Sequence, residues 1–177
     1  YQQVTGPLSR GYNVAASVVV GQALGDGDPD RARFEGWSTT ALGLLTVGAI
    51  GVALFVAADP LVRLFTSDAP TARYAAAFAR TYAVAAPFLV SYVVLAGSLQ
   101  GGSDTKTPFL ARTTGMFGFL VGFSWLFGVY LGYRVVAVYA GILLYYVWAT
   151  AVVGAGFYWG GWAPRAAKMM AERGSAE

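Results

Sequence analysis

The chain has 177 residues, of which 56% are hydrophobic and 12% are charged, and its formal net charge is +3. A soluble domain carries roughly a quarter charged residues, so this composition excludes an ordinary soluble protein and predicts a membrane protein. Cysteine and histidine are both absent, which removes disulfides, thiolate nucleophiles, the commonest metal ligands and the commonest general base. The scattered positive charge argues against a nucleic-acid partner, because phosphate-binding proteins normally carry a clustered basic face.

Five apolar runs are long enough to cross a bilayer as helices, which takes roughly 20 residues each. They are predicted at about 8–24, 37–58, 81–99, 108–130 and 135–159. The connectors are short and rich in Gly, Asp and Pro, so neighbouring helices are expected to run antiparallel. The sequence therefore predicts an all-α, polytopic membrane bundle, a single transmembrane domain of about five spans with the lipid bilayer as its solvent.

Two segments outside these spans have a different character. Residues 69–80 follow a short apolar and basic piece, and they are interpreted as an interfacial helix that leads into the third span. Residues 162–177 are polar and basic and are predicted to be a cytoplasmic tail. The chain starts with neither a methionine nor a basic segment before its first apolar run, so we expect a fragment without a signal peptide.

The lysines and arginines predict the orientation. The face that holds the tail would carry seven of them, and the opposite face would carry five: Arg10, Arg63, Arg73, Arg80 and Arg134. Because cytoplasmic loops carry the excess of Lys and Arg, the C-terminus is predicted to be cytoplasmic.

No acidic residue falls inside a predicted span. Carboxylates within a bilayer commonly mark ion or proton paths, so a coupling carboxylate is expected outside this chain. An intramembrane enzyme is not expected either, because Lys106 and Lys168 lie at membrane edges, out of reach of a mid-membrane nucleophile. No cofactor and no metal are predicted.

Neutral polar residues remain inside the spans. Asn13 lies one turn from Ser17 on an otherwise smooth helix face, which favours a cavity-facing role, although a contact with a neighbouring helix is the alternative. Pro87 removes a backbone hydrogen bond from the third span and is predicted to bend or loosen it, with or without a moving role.

Three motifs, in order, resemble the multidrug and toxic compound extrusion (MATE) family. The stretch GYNVAASVVVGQALGDGDPDRAR resembles the family's Gly-Gln-x-x-Gly-x-Gly-Asp turn, and LVRLFTSD resembles its Leu-Phe-x-x-Asp link. LAGSLQGGSDTKTP resembles the Gly-x-Gly-Asp-Thr-x-x-Pro turn, with Ser103 as a departure from the pattern. The matching positions, which we interpret as structural, are Gly21, Gln22, Gly25, Gly27, Asp28, Gly101, Gly102, Asp104, Thr105 and Pro108. Asp28 or Asp30 is expected to cap the helix that follows the first turn.

The resemblance implies a two-lobe, twelve-helix transporter, of which this chain would be the C-terminal lobe, helices 8 to 12. It implies a cation-coupled antiporter, driven by protons or sodium, that exports amphipathic organic compounds across a prokaryotic cytoplasmic membrane. The partners would be the missing N-terminal lobe and small organic substrates. Five residues are then candidates for lining the substrate cavity: Tyr12, Asn13, Ser17, Ser91 and Tyr92.

Two alternatives stay open. A lipid-linked saccharide flippase of the same superfamily would share the bundle, but it would be expected to carry basic residues inside the membrane. A non-transporting assembly subunit is the other. Acidic or basic residues in the part of the protein not contained in this chain would separate the three.

Overall fold

Helices α1 to α7 make up the bundle. The computed structural model describes residues 2–174, and it describes side chains for residues 7–172. Within this part of the chain there is no strand, and the α-helices are α1 Gln2–Gly25, α2 Pro29–Val56, α3 Ala58–Arg63, α4 Ala69–Gly101, α5 Lys106–Gly115, α6 Val135–Trp159 and α7 Trp162–Gly174. The predicted all-α membrane bundle is confirmed.

Four helical segments of the described chain, rather than the five predicted, are both long and apolar enough to cross a membrane: Pro29–Val56, Ala69–Gly101, Lys106–Tyr130 and Val135–Trp159. The first predicted span, 8–24, lies in α1, which has the length of a span at 24 residues. Arg10, Asn13 and Gln22 lower its apolar character.

Helix α4 is continuous over 33 residues, so the predicted interfacial helix at 69–80 and the predicted span at 81–99 are one element. Asp68 caps its start, and Pro70 occupies the first turn, where a missing N–H costs nothing. Residues 162–174 of the predicted tail form a helix that the sequence did not predict, α7, which buries Trp162, Ala163 and Ala166 against the bundle.

Helix α4 lies at the centre of the bundle and contacts α1, α2 and α6. Small residues allow these helices to approach closely. On α2, the buried positions include Gly36, Gly43 and Gly51, and a Cβ added to Gly43 would lie 2.8 Å from Val90 on α4. Such small-residue contacts are a common basis for helix association in lipid, where burial of apolar surface supplies little driving force.

The helix that begins as α5 changes its winding along the span. From Met116 to Phe123 and from Leu126 to Tyr130 it is π-helical, with one extra residue per turn. In this winding Gly122 lies close to the backbone five residues earlier, and a Cβ added to it would lie 2.8 Å from the carbonyl oxygen of Phe117. π-Helical segments are rare and often occur at functional sites.

Candidate functional site around helix α4

The α1–α4 interface holds two of the predicted cavity residues. The Asn13 side-chain amide donates a hydrogen bond of 2.8 Å to the backbone carbonyl of Val93 on α4. Gly97 packs directly against the Asn13 backbone, and one turn later Gly101 packs against Ser17, where an added Cβ would lie 2.5 Å from the Ser17 carbonyl oxygen. Asn13 and Ser17 therefore face α4, and the Asn13 amide holds the two helices together.

Tyr12 and Ser91 bond elsewhere. The Tyr12 hydroxyl lies 2.8 Å from the Thr46 hydroxyl, which links α1 to α2. The Ser91 hydroxyl donates to the Pro87 carbonyl of its own helix at 2.8 Å. These four candidate residues thus do not meet at one site, and none of the five predicted cavity residues lines the groove described next.

A groove of about 470 Å³ runs beside Pro87 between α2 and α4. Pro87 has no N–H and cannot donate the hydrogen bond that a helix residue gives to the carbonyl four residues earlier, that of Ala83. This carbonyl lies 3.2 Å from the point where a Cβ on Gly51 would be, so α2 approaches α4 closely there. The groove is mainly apolar and is lined by Gly48, Gly51, Val52, Phe55, Ala83, Val84 and Pro87.

Hydroxyl groups bond the α4 backbone just after the proline. In addition to the Ser91 bond, the Thr150 hydroxyl on α6 donates to the Phe88 carbonyl at 2.7 Å. Carbonyls of residues 87 and 88 are thus tied both within α4 and across to α6. The loss of one backbone bond at Pro87 is thus accompanied by side-chain bonds on its C-terminal side, and α4 remains continuous through the proline.

Tyr92, the fifth predicted cavity residue, lies near α5 and α6, and the α6 tyrosines beside it are not predicted from the sequence. It lies within electrostatic range of Tyr145 on α6 and Arg112 on α5, and Tyr146 is within range of Tyr82 and Tyr92. The rings of Tyr145 and Tyr146 lie 4.8 Å apart, edge to face. This tyrosine cluster, which consists of Tyr82, Tyr92, Tyr145 and Tyr146, places several aromatic side chains near one another on α4 and α6. Its sequence signal was the Tyr145-Tyr146 doublet within an otherwise apolar span.

The recognised turns follow α1 and α4. Asp28 accepts a bond from the Arg31 backbone N–H at 2.9 Å and so caps α2, as predicted. Asp104 accepts from both the backbone N–H and the hydroxyl of Thr107, at 3.1 and 2.9 Å. The geometry of these positions is that of helix ends and helix packing.

The comparisons with known proteins agree with one another. The family model MatE matches residues 3–126. The chain is 33% identical over 152 residues to "Probable multidrug resistance protein NorM" of Rhodopseudomonas palustris (strain ATCC BAA-98 / CGA009), which covers 78% of this chain and 32% of that protein. It also superposes on the crystal structure of the eukaryotic MATE transporter AtDTX14 with a TM-score of 0.84 and 19% identity, over 93% of this chain and 37% of that one. The chain therefore spans about a third of the length of the relatives it matches.

Proposed function

The chain belongs to the MatE family, and from this premise we propose that it forms one lobe of a secondary transporter that exports amphipathic organic compounds in exchange for protons or sodium. The observation that carries the proposal is the match to a relative named as a multidrug resistance protein across 78% of this chain. The shared fold over 93% of the chain supports it.

We place this lobe at the C-terminal end of the transporter, as helices 8 to 12, with an N-terminal lobe as its partner. The lengths of the relatives leave room for such a partner. The excess of Lys and Arg at the α7 end of the bundle favours a cytoplasmic position for that end. The coupling carboxylate would belong to the other lobe, because the acidic residues of this chain lie outside the four long apolar helices or within their first two turns.

Two surfaces of the lobe suit an amphipathic organic cation. The tyrosine cluster offers aromatic faces that attract a desolvated cation. The groove beside Pro87 offers an apolar wall for the rest of such a molecule. In this proposal α1 and α4 move together, because their backbones touch at Gly97 and Gly101, and the weakened backbone at Pro87 is the place where α4 bends between access states.

The test uses the intact transporter in proteoliposomes loaded with a fluorescent organic cation. Efflux is followed under an imposed proton gradient, then a sodium gradient, then neither. The first variant is Pro87→Ala, which restores a backbone donor, and its matched control is Pro70→Ala in the first turn of the same helix. Pro87→Ala is expected to slow efflux several-fold, and Pro70→Ala is expected to leave it unchanged.

A second pair tests the cation site. Tyr92→Ala is expected to raise the substrate concentration needed for half-maximal efflux, whereas Tyr130→Ala, at an exposed position on another helix, is expected not to. If neither the proton gradient nor the sodium gradient drives efflux, the antiporter proposal is contradicted. If the same vesicles then move a lipid-linked saccharide, a flippase is the function that fits the protein better.

A further inference from the structure

The hairpin between α3 and α4 ends in an exposed apolar tip. Leu64 is 78% exposed and Phe65 is 88% exposed, and Arg63 precedes them while Thr66, Ser67 and Asp68 follow. The neighbouring aromatic residues Tyr74 and Phe78 on α4 are also exposed. Aromatic and apolar side chains at the end of a membrane helix are typical of the boundary between headgroups and acyl chains. This tip is therefore placed where it can enter the lipid interface.

Residues that flank the tip in the sequence line an open cavity of about 570 Å³, whose wall is part polar and part apolar. Two arginines, Arg63 from the end of α3 and Arg73 from the first turns of α4, stand on its wall together with the hydroxyl-bearing residues Thr66 and Ser67. The remaining lining residues are Asp59, Val62, Ala69 and Ala72. The volume falls within the range of cavities that hold small ligands.

The acidic groups nearby are already engaged. Asp59 pairs with Arg80 at 2.5 Å. Asp68 accepts a 3.0 Å bond from the backbone N–H of Thr71 and so caps α4. Hydrogen bonding with the Thr71 side chain, and then with its backbone, lowers the pKa of the Asp68 carboxyl and favours its ionised form. Asp59 is therefore paired with an arginine other than the two of the cavity wall, and Asp68 is engaged by the backbone of α4.

The two arginines of the cavity wall have no carboxylate within ion-pair distance among the described residues. The Arg73 guanidinium lies 5.9 Å from the centroid of the Tyr74 ring, and this contact leaves its N–H groups available. Guanidinium groups suit phosphate particularly well, because their planar set of donors matches two phosphate oxygens at once.

We infer that this cavity binds the phosphate group of an anionic phospholipid, with Arg63 and Arg73 on the phosphate, Thr66 and Ser67 beside the headgroup, and Leu64 and Phe65 against the acyl chains. A lipid is favoured over a free anion because the apolar tip and the cationic cavity adjoin each other, as the two parts of a phospholipid do. The inference concerns binding alone and stands whether or not the protein transports drugs.

The experiment measures retention of phosphatidylglycerol by the intact transporter in detergent, using native mass spectrometry and titration of the thermal midpoint. Phosphatidylcholine is the neutral control lipid, and inorganic phosphate is the free-anion control. Wild-type protein is expected to prefer phosphatidylglycerol, and to lose the preference as salt is raised. No preference for phosphatidylglycerol over phosphatidylcholine overturns the proposal without any variant.

Variants then locate the site. R63Q/R73Q is expected to weaken phosphatidylglycerol binding at least about fivefold. The matched control R10Q/R134Q removes two exposed arginines predicted on the same face and is expected to bind as wild type does. R63K/R73K keeps the charge if the glutamine variant folds poorly, and it is expected to bind with intermediate strength. Equal loss in the control variant overturns the assignment.

The last arm separates the lipid from a free anion. L64S/F65S is expected to weaken phosphatidylglycerol binding and to leave any effect of inorganic phosphate unchanged. Stabilisation by inorganic phosphate that matches that of phosphatidylglycerol overturns the lipid assignment.

Discussion

Two turns of the same design occur in this molecule, Gly25–Asp28 after α1 and Gly101–Asp104 after α4. In each, a residue at positive φ donates a hydrogen bond from its backbone N–H to the carbonyl three residues earlier. The backbone N–H of the aspartate that follows donates to the carbonyl five residues earlier. In each, that aspartate side chain then accepts from the backbone N–H three residues later. The two turns therefore end one helix and start the next by the same hydrogen bonds.

Their surroundings differ. At Gly25 an added Cβ would meet nothing within 4 Å, and the turn after α1 is exposed to solvent. At Gly101 it would meet the Ser17 backbone at 2.5 Å, and at Gly102 it would meet the Trp162 ring of α7 at the same distance. The turn motif has one local role in both places, but after α4 it also fixes the positions of α1 and α7. A motif match in sequence cannot distinguish these two cases.

The largest contrast is expected for alanine at the paired glycines. Gly101→Ala places a methyl group against the backbone of α1, which cannot move aside as a side chain could, and we expect a loss of about 1–3 kcal/mol. Gly25→Ala is the matched control, and an open position is expected to change stability by no more than about 0.5 kcal/mol. The measurement is the thermal midpoint of the purified protein in detergent. Equal effects at both glycines would show that the α1–α4 contact does not depend on Gly101.

A smaller contrast is expected at the capping aspartates. Asp104→Ala removes two bonds to Thr107 at a partly buried position, and we expect a loss near about 2 kcal/mol. Asp28→Ala removes one bond at an exposed position and is expected to cost about 0.5–1 kcal/mol. The same thermal measurement checks both. Asn at either position can still accept the bond, and it is expected to recover most of the loss.

A reciprocal exchange at the positive-φ residues tests the local conformation. Gly27 has φ 77°, and Ser103 has φ 61° at the equivalent place, where the family motif has glycine. Side chains with a Cβ are strained in this region. We therefore expect Ser103→Gly to stabilise the protein by about 0.5–1 kcal/mol and Gly27→Ser to destabilise it by a similar amount. Changes of the same sign in both variants would contradict a shared turn geometry.

The sequence predicts the bundle well because span length and turn composition are local properties. Long helices of the structure overlap the predicted spans at 37–58, 108–130 and 135–159, although α2 ends at Val56, and Asp28 caps α2 as expected. The continuity of α4 through residues 69–101 was missed because a charged, interfacial-looking sequence and a span were read as separate elements. Neither composition nor periodicity reveals that α4 forms the centre of the bundle.

The candidate site was harder to predict than the fold. Asn13 was selected for its amide within a span, but its partner, the carbonyl of Val93, is 80 residues away. Tyr145 and Tyr146 are not among the residues predicted from the sequence to line the cavity. Which polar side chains satisfy a neighbouring helix depends on helix rotation, and a single sequence does not contain that information.

The smallest effect is expected at the start of α4, which Asp68 caps without a preceding glycine turn. The bond from Thr71 lowers the pKa of Asp68 below its ordinary value of 3.8, so the cap contributes stability above that value and loses it as the pH falls through the lowered pKa. Asp68→Asn keeps an acceptor that does not titrate. We therefore expect the thermal midpoints of the variant and the wild type to converge as the pH falls from about 6 to about 3. Midpoints that stay a constant distance apart over this range would show that the charge of Asp68 adds nothing to the cap. In that case the Asp68 cap would owe its effect to hydrogen-bond geometry alone.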